Sequence, residues 1–145
     1  RDSIYVKELK KRIRELKLDK HIKICGFISD LSKFYKLFDL YIHTASVDPH
    51  PRSVIEAMNN SLPVVGLDSD GVSETIVDNQ TGVLVPKNSL DLISEAIIDL
   101  SFNERKSKKF GINSKIHVTK NFRDRHTSKK ISIIINERVS KFKTV

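Results

Sequence analysis

Three short apolar runs, each bounded by turn residues, constrain the fold of this chain more than any other feature of its sequence. They are DLYIHTA at 39–45, LPVVGL at 62–67 and TGVLVP at 81–86. Short continuous apolar runs are typical of strands buried on both faces, as in parallel sheets. Segments of helical length separate the runs, as right-handed βαβ units require. The predicted fold class is therefore α/β, a doubly wound parallel sheet in a Rossmann-like three-layer α/β/α arrangement.

The segment before the first of these runs predicts a helix, a strand and a second helix. An amphipathic helix is expected over 3–18, where isoleucine, valine and leucine recur at helical spacing. HIKICGF at 21–27 is rich in β-forming residues and predicts a further strand that ends at a glycine. Ser29 or Asp30 can then cap a short helix that runs through Leu37.

The segments between and after the three runs also predict helices. One helix is expected over 52–60, a short one within 68–77, and one over 90–100 with Asn88 or Ser89 as its cap. The remainder of the chain is predicted to be helical and basic, with a C-terminal helix over 121–145. Within that helix ISIIINERV mixes strand and helix periods, and its length and flanking charges favour a helix.

Charge is distributed unevenly along the 145 residues, which carry a net charge of +8. Residues 1–37 hold 11 Lys/Arg against 5 Asp/Glu, residues 38–100 hold 2 against 10, and residues 101–145 hold 13 against 3. Basic ends can follow an anionic membrane surface or nucleic acid, or can simply be solvated helix faces. The acidic centre argues against a nucleic-acid groove, so no nucleic-acid partner is expected.

Cysteine content and the amino terminus predict the compartment. The single Cys25 cannot form an internal disulfide, and no Cys/His spacing indicates a metal site. Residues 1–20 lack a secretory signal, and no apolar run approaches the roughly 20 residues of a membrane span. We therefore expect a cytoplasmic protein. Because the chain begins at Arg1 rather than at a methionine, we also expect a fragment of a longer protein.

Two carboxylates border the predicted helix that follows the first run. Asp48 precedes this helix and Glu56 lies on its second turn. A helix N-terminus offers unpaired N–H groups and a positive dipole end to phosphate, while carboxylates accept hydrogen bonds from sugar hydroxyls. The alternative is that Asp48 is a turn residue before Pro49 and that Glu56 faces solvent.

Residues 38–86, FDLYIHTASVDPHPRSVIEAMNNSLPVVGLDSDGVSETIVDNQTGVLVP, resemble the C-terminal domain of the retaining glycosyltransferases of family four, also called group 1. The shared order is a strand, an E-x7-E helix, an LPVV strand, a glycine turn followed by Glu, and a TGxLV strand. The likeness extends more weakly over the rest of the chain. It implies the C-terminal half of the two-domain GT-B architecture, with residues 1–145 forming the donor-binding domain without its first one or two strands.

The resemblance also implies roles for individual residues. Asp48 would contact the donor sugar, Glu56 would hold the ribose hydroxyls, and Arg52 and Ser53 would offer backbone amides to the pyrophosphate. Asp48 and Glu56 are the predicted catalytic pair. The predicted donor-binding residues are Gly26, Phe27, His50, Arg52, Ser53, Val54, Glu56, Asp70, Gly71 and Glu74. Gly26 and Phe27 would end the strand beside the nucleobase, although an ordinary turn there is equally expected.

The resemblance implies a UDP-sugar or GDP-sugar donor, a hydroxyl acceptor in bacterial polysaccharide or glycolipid biosynthesis, and neither metal nor cofactor. An upstream acceptor-binding domain and the basic pair that neutralises the leaving diphosphate would lie before Arg1, so the isolated chain should have little activity. Peripheral contact with an anionic membrane at its inner face is also expected. A non-hydrolysing nucleotide-sugar 2-epimerase and a non-enzymatic basic α/β binding module are the alternative functions.

Some residues depart from the family pattern or invite another interpretation. The first acid is Asp rather than Glu, and Pro49 and Pro51 remove N–H donors from the phosphate loop. Gly71 keeps the ability to adopt a positive φ in its turn. A histidine in a buried strand, such as His43, is more often a core residue than a catalytic one.

Overall fold

The computed structural model describes residues 3–122, and a three-stranded parallel sheet forms the centre of residues 32–122. Its strands are β1 (Tyr41–His43), β2 (Val64–Leu67) and β3 (Gly82–Val85), in the order β1-β2-β3. Tyr41 is in register with Val64, and Val64 with Gly82. The three apolar runs are therefore the strands, and the predicted parallel pairing is confirmed.

Six helices complete the described part of the chain. They are α1 (Ile4–Glu15), α2 (Ser32–Tyr35), α3 (Arg52–Asn59), α4 (Asp70–Thr75), α5 (Leu90–Phe102) and α6 (Glu104–Asn121). Ser89 is the N-cap residue of α5, but its side chain makes no capping hydrogen bond. The predicted helix over 121–145 lies outside the described residues from position 123 onward. Among the described residues, no helix combines the length and apolar character needed to cross a bilayer.

The two faces of the sheet pack against different helices. Because side chains alternate along a strand, the neighbours Val64 and Val65 point to opposite faces. Val64 packs with residues of α3, α4 and α6, including Val54, Met58 and Val72. Val65 packs instead with Ala96, Leu100 and Phe110 of α5 and α6. These two apolar layers confirm the doubly wound α/β class.

Residues 3–31 form a separate unit that lacks the strand predicted over 21–27. Only Ile13 of the apolar stripe on α1 is buried, and Ile22 and Ile24 are 45% and 37% exposed. Residues 22–28 carry neither helix nor strand, so the prediction was wrong there. β-propensity produces a strand only where a neighbour completes the ladder of hydrogen bonds, and no described segment pairs with these residues.

Candidate functional site

The loops that follow β1 and β2 meet at the carboxyl edge of the sheet. In a parallel sheet the carboxyl ends of all strands lie at one edge, where ligands usually bind. The Ser69 hydroxyl donates to the carbonyl oxygen of Ala45 at 3.5 Å, which joins the second loop to the first. This contact brings the 44–53 and 68–74 loops together. Gly26 and Phe27 belong to the separate unit 1–31, and their predicted place beside the nucleobase stays a prediction.

Gly71 brings the two loops into backbone contact. A Cβ atom built on Gly71 would lie 2.3 Å from the carbonyl oxygen of Pro49 and 3.2 Å from that of Asp48. No side chain fits at that separation. The predicted reason for this glycine, a positive φ, was wrong: the positive φ of +33° belongs to its neighbour Asp70. Gly71 is required by close approach, and strain in the turn is held at the non-glycine residue before it.

Both oxygens of the Asp48 carboxylate lie close to residues of β1 and of the loop that follows it. Oδ1 accepts a hydrogen bond from the backbone N–H of His50 at 3.2 Å. Oδ2 lies 3.2 Å from Nε2 of His43, whose side chain is 10% exposed. That ring nitrogen is within ion-pair distance but makes no well-aligned hydrogen bond. The local bond to His50 agrees with a turn role for Asp48, and its contact with a buried histidine goes beyond that role.

The Glu56 carboxylate is bound by a buried tyrosine. The Tyr35 hydroxyl donates to Oε2 of Glu56 at 3.2 Å and also lies 3.4 Å from the carbonyl oxygen of Ser53. Tyr35 is 3% exposed. Burial first, and then the negative charge of Glu56, raise the pKa of the Tyr35 phenol well above its ordinary value. Tyr35 therefore stays protonated at neutral pH and donates to the carboxylate.

The N-terminus of α3 offers backbone amides beside these acids. Pro51 is the N-cap residue and provides no side-chain hydrogen bond to the helix. The N–H of Arg52 donates to the carbonyl oxygen of His50 at 2.8 Å, which removes it from the amides predicted to face the pyrophosphate. The amides of Ser53 and Val54 have no capping side chain, and the helix dipole favours an anion at this end. The side chain of Val54 is fully buried, so only its backbone amide can meet a ligand.

The other predicted site residues are exposed to solvent. They are Phe27, His50, Arg52, Asp70 and Glu74, and Glu56 is exposed as well, in agreement with the solvent-facing alternative. Gly26 has a φ of +66° with open space around its Cβ position, so its conformation rather than a close neighbour requires glycine. Among the described residues, no group of three or more His, Cys, Asp and Glu side chains could hold a metal ion.

Tyr35 and His43 contact the two acids, and neither contact was predicted from the sequence. Tyr35 was not singled out, because it lies in the aromatic-rich run FYKLF where no spacing distinguishes it from Phe34. His43 was expected to be a core residue, and its burial fits that expectation. Its contact with Asp48 depends on how the loop after β1 turns back, which no local pattern encodes.

The parallel sheet, the helix N-terminus without a side-chain cap and the flanking carboxylates define a ligand-binding α/β domain of the Rossmann-like class. A family model described as glycosyl transferases group 1 matches residues 2–117, which is more than half of the chain. The chain therefore belongs to the glycosyl transferases group 1 family. The family resemblance of residues 38–86 is confirmed by this match.

Curated relatives include two bacterial glycosyltransferases. The chain is 25% identical over 116 residues to the poly(ribitol-phosphate) α-N-acetylglucosaminyltransferase of Staphylococcus aureus (strain COL), covering 79% of this chain and 24% of that protein. It is 27% identical over 104 residues to the poly(glycerol-phosphate) α-glucosyltransferase of Bacillus subtilis (strain 168), covering 71% of this chain and 16% of that protein. The chain thus spans about a quarter or less of these relatives.

Solved structures show the same fold. The Alr3699/HepE protein of Anabaena in complex with UDP superposes with a TM-score of 0.82 at 26% identity, covering 92% of this chain and 37% of that one. The same protein in complex with UDP-glucose gives a TM-score of 0.81. These likenesses confirm the predicted Rossmann-like half of a GT-B fold.

Proposed function

We propose that this chain is the donor-binding domain of a retaining glycosyltransferase that moves a sugar from a nucleoside diphosphate to a hydroxyl acceptor. The observation that carries the proposal is the contact of Gly71 with the loop of Asp48, beside the N-terminus of α3. This contact supports a site in which amides, the positive end of α3 and two acids serve the carboxyl edge of the sheet. Family membership favours this function over the epimerase and the basic binding module.

On this proposal, different groups at the carboxyl edge bind different parts of a nucleotide sugar. The Ser53 and Val54 amides and the α3 dipole suit the diphosphate. The Glu56 carboxylate suits ribose hydroxyls, and the Asp48 carboxylate suits the sugar, since charge-assisted hydrogen bonds are the stronger kind. The acceptor-binding domain and the basic pair for the leaving diphosphate belong, on this proposal, to another part of the whole protein. The domain alone would then bind donor with little transfer.

A UDP-sugar is the favoured donor and a GDP-sugar the alternative. The similar Anabaena protein was solved with UDP and with UDP-glucose. The named Staphylococcus and Bacillus relatives transfer N-acetylglucosamine and glucose. Neither a metal ion nor a further cofactor is part of the proposal, because amides and a helix dipole supply the positive potential.

Calorimetric titration of the chain with UDP, UDP-glucose and GDP tests the assignment. UDP should bind more tightly than GDP, and Glu56→Ala should weaken UDP about tenfold by removing a charged acceptor for the ribose. Asp48→Ala should weaken UDP-glucose more than UDP. Glu95→Ala, which removes an exposed acid from α5, is the matched control and should change nothing. Unchanged binding in both site variants would show that the acids do not hold the donor.

A basic face of α6 supports peripheral contact with an anionic membrane at the cytoplasmic side. This face consists of Arg105, Lys109, Ile112, Ile116 and Lys120, all exposed, and both isoleucines are 60% exposed. Basic residues attract anionic lipid at about 1 kcal/mol each, and apolar side chains can enter the headgroup region. Nothing in the α6 contacts of the described residues covers the two isoleucines.

Co-sedimentation with phosphatidylserine and with phosphatidylcholine vesicles tests this membrane contact. The chain should bind only the anionic vesicles, salt should release it, and Lys109→Glu combined with Ile112→Asn should weaken binding several-fold. Lys87→Glu, which reverses an exposed charge away from α6, should have a smaller effect. If the chain does not bind anionic vesicles, or if the α6 substitutions leave binding unchanged, this face of α6 does not contact the membrane.

A further inference from the structure

Three rings form a continuous row behind the two acids of the carboxyl edge. The ring centroids of Tyr35 and Tyr41 are 6.3 Å apart, and those of Tyr41 and His43 are 6.4 Å apart with an interplanar angle of 22°. Tyr41 and His43 are two residues apart on β1 and so share one face of the sheet. The row, defined as Tyr35, Tyr41 and His43, connects α2 with the end of β1.

One end of the row holds Glu56. The Tyr35 hydroxyl has a single proton, and both of its oxygen neighbours, Glu56 Oε2 and the Ser53 carbonyl, belong to the first turns of α3. Because Tyr35 is 3% exposed and lies against Tyr41, its ring has little freedom to turn away. The bond occupies Oε2 of the carboxylate. One oxygen of Glu56 is thus anchored, and the other can accept from a ligand.

The opposite end of the row faces Asp48. Nε2 of His43 is buried, lies 3.2 Å from Oδ2 of Asp48 and has no well-aligned partner among the described residues. A buried ring nitrogen without a hydrogen bond is costly, so the carboxylate position that pairs with it is favoured. The stacked Tyr41 ring keeps the imidazole in place. The histidine therefore limits where the Asp48 carboxylate can lie.

We propose that the ring row positions the two carboxylates of the donor site, with Tyr35 acting through Glu56 and His43 acting through Asp48. This inference rests on the proposed function and deepens it. Tyr35 and His43 are positioning residues, since neither needs to touch the donor. Because the row is continuous, it also sets the separation between the acid for the ribose and the acid for the sugar.

The two ends of the row should affect different halves of the donor. Ribose is common to UDP and UDP-glucose, so loss of the Tyr35 hydroxyl should weaken both ligands by the same factor. Glucose is present only in UDP-glucose, so loss of the His43 ring nitrogens should weaken UDP-glucose and spare UDP. A purely structural defect would weaken both ligands in both variants.

Calorimetry of the chain with UDP and with UDP-glucose tests this pattern. Tyr35→Phe should weaken both ligands about three- to tenfold, the range expected for one typical hydrogen bond, since Tyr35 acts only through Glu56. His43→Phe keeps a ring against Tyr41 and should weaken UDP-glucose alone by a similar factor. His43→Gln restores a side-chain N–H near the position of Nε2 and should recover most of that loss. Tyr5→Phe on α1 and His117→Asn on α6 are the matched controls and should bind as the wild type does.

Circular dichroism and thermal melting of every variant separate binding from folding. If Asp48→Ala and Glu56→Ala weaken binding while Tyr35→Phe and His43→Phe do not, the ring row has no positioning role, although the donor site stands. Equal weakening of UDP and UDP-glucose by His43→Phe, or no recovery in His43→Gln, would also overturn the proposal. If His43→Phe does not fold, His43→Leu, which also lacks a ring nitrogen, takes its place in the comparison with His43→Gln. Absence of UDP binding by the wild-type chain would overturn the proposed function and this inference together.

Discussion

The two edges of the three-stranded sheet differ in shape and in how their charged groups are used. The amino edge has a cleft of about 440 Å³ beside the α3–β2 and α5–α6 connections, lined among others by Lys36, Ser61, Glu104 and Lys108. Two of its charges neutralise each other, because Lys108 Nζ donates to Glu104 Oε1. At the carboxyl edge, buried rings hold the carboxylates, and a helix end without a side-chain cap lies beside them.

The contrast shows that the volume of a cleft and the arrangement of the polar groups around it are separate properties. A cleft forms wherever helix ends leave a gap at the rim of a sheet, and paired surface charges there contribute little. At the carboxyl edge, convergent amides and buried partners fix polar groups before a ligand arrives, which lowers the cost of binding. We therefore assign function to the edge with the more ordered polar groups rather than to the edge with the cleft of about 440 Å³. Three pairs of substitutions test that assignment.

The largest effect is expected from glycine substitutions at the two edges. A Cβ at Gly71 would lie 2.3 Å from the Pro49 carbonyl oxygen, and one at Gly111 would lie 2.1 Å from the Ser61 carbonyl oxygen. Gly71→Ala and Gly111→Ala should each cost about 1–3 kcal/mol and lower Tm by roughly 3–10 °C. Only Gly71→Ala should also abolish UDP-glucose binding, because it displaces the loop of Asp48.

Differential scanning fluorimetry gives the Tm values, and calorimetry well below Tm gives the binding constants. The Gly111 variant is the matched control, since it introduces the same atom against the same kind of backbone oxygen. Equal loss of binding in both variants would mean that general destabilisation, rather than loop position, controls donor affinity.

An intermediate effect is expected from neutralising one acid at each edge. Glu56→Gln should raise the Kd for UDP about tenfold, because a neutral amide is a weaker acceptor than a carboxylate. Glu104→Gln removes the partner of Lys108 and should leave UDP affinity unchanged. Isothermal titration at a fixed salt concentration measures both. A larger effect from Glu104→Gln than from Glu56→Gln would indicate that the donor binds at the amino edge.

The smallest effect concerns the pH dependence of stability at Tyr35, which lines the amino cleft and also binds Glu56. Its pKa is raised above the ordinary 10.0, chiefly by burial. The folded chain therefore keeps a proton that the unfolded chain has lost, so the stabilisation is complete below pH 10 and falls as pH rises above it. Tyr35→Phe should cost about 1 kcal/mol at neutral pH and should lose less stability in alkali.

Urea unfolding at pH 7 and at several pH values above 10 measures this difference. Tyr5→Phe, which alters an exposed tyrosine, should keep the alkaline slope of the wild type. Parallel pH profiles for wild type and Tyr35→Phe would contradict the buried, carboxylate-bound state of the phenol.

Much of the fold was predictable because the strands that form it are continuous apolar runs. The segments around Tyr41, Val64 and Val83 became β1, β2 and β3. Helices bury β2 on both faces, while Ile42 of β1 is 41% exposed. HIKICGF at 21–27 has similar β-propensity yet forms no strand, because pairing depends on a neighbour that local sequence does not specify.

The site was predictable only in part. Asp48, Glu56 and Gly71 were identified by their order in a family pattern, and the structure brings the loops of Asp48 and Gly71 together. The reason for Gly71 was mistaken, because backbone approach between distant segments cannot be derived from a turn motif. The contacts of Tyr35 and His43 with the acids were missed for the same cause: they depend on tertiary placement rather than on spacing.

Backbone amide NMR of the chain during titration with UDP-glucose tests most directly whether the carboxyl edge holds the donor. The amide signals of Ser53, Val54 and Gly71 should shift progressively with ligand. Those of Ser61 and Ser107 at the amino cleft should stay in place. Shifts confined to Ser61, Ser107 and their neighbours, with Ser53 and Val54 unchanged, would contradict the assignment of the donor site to the carboxyl edge.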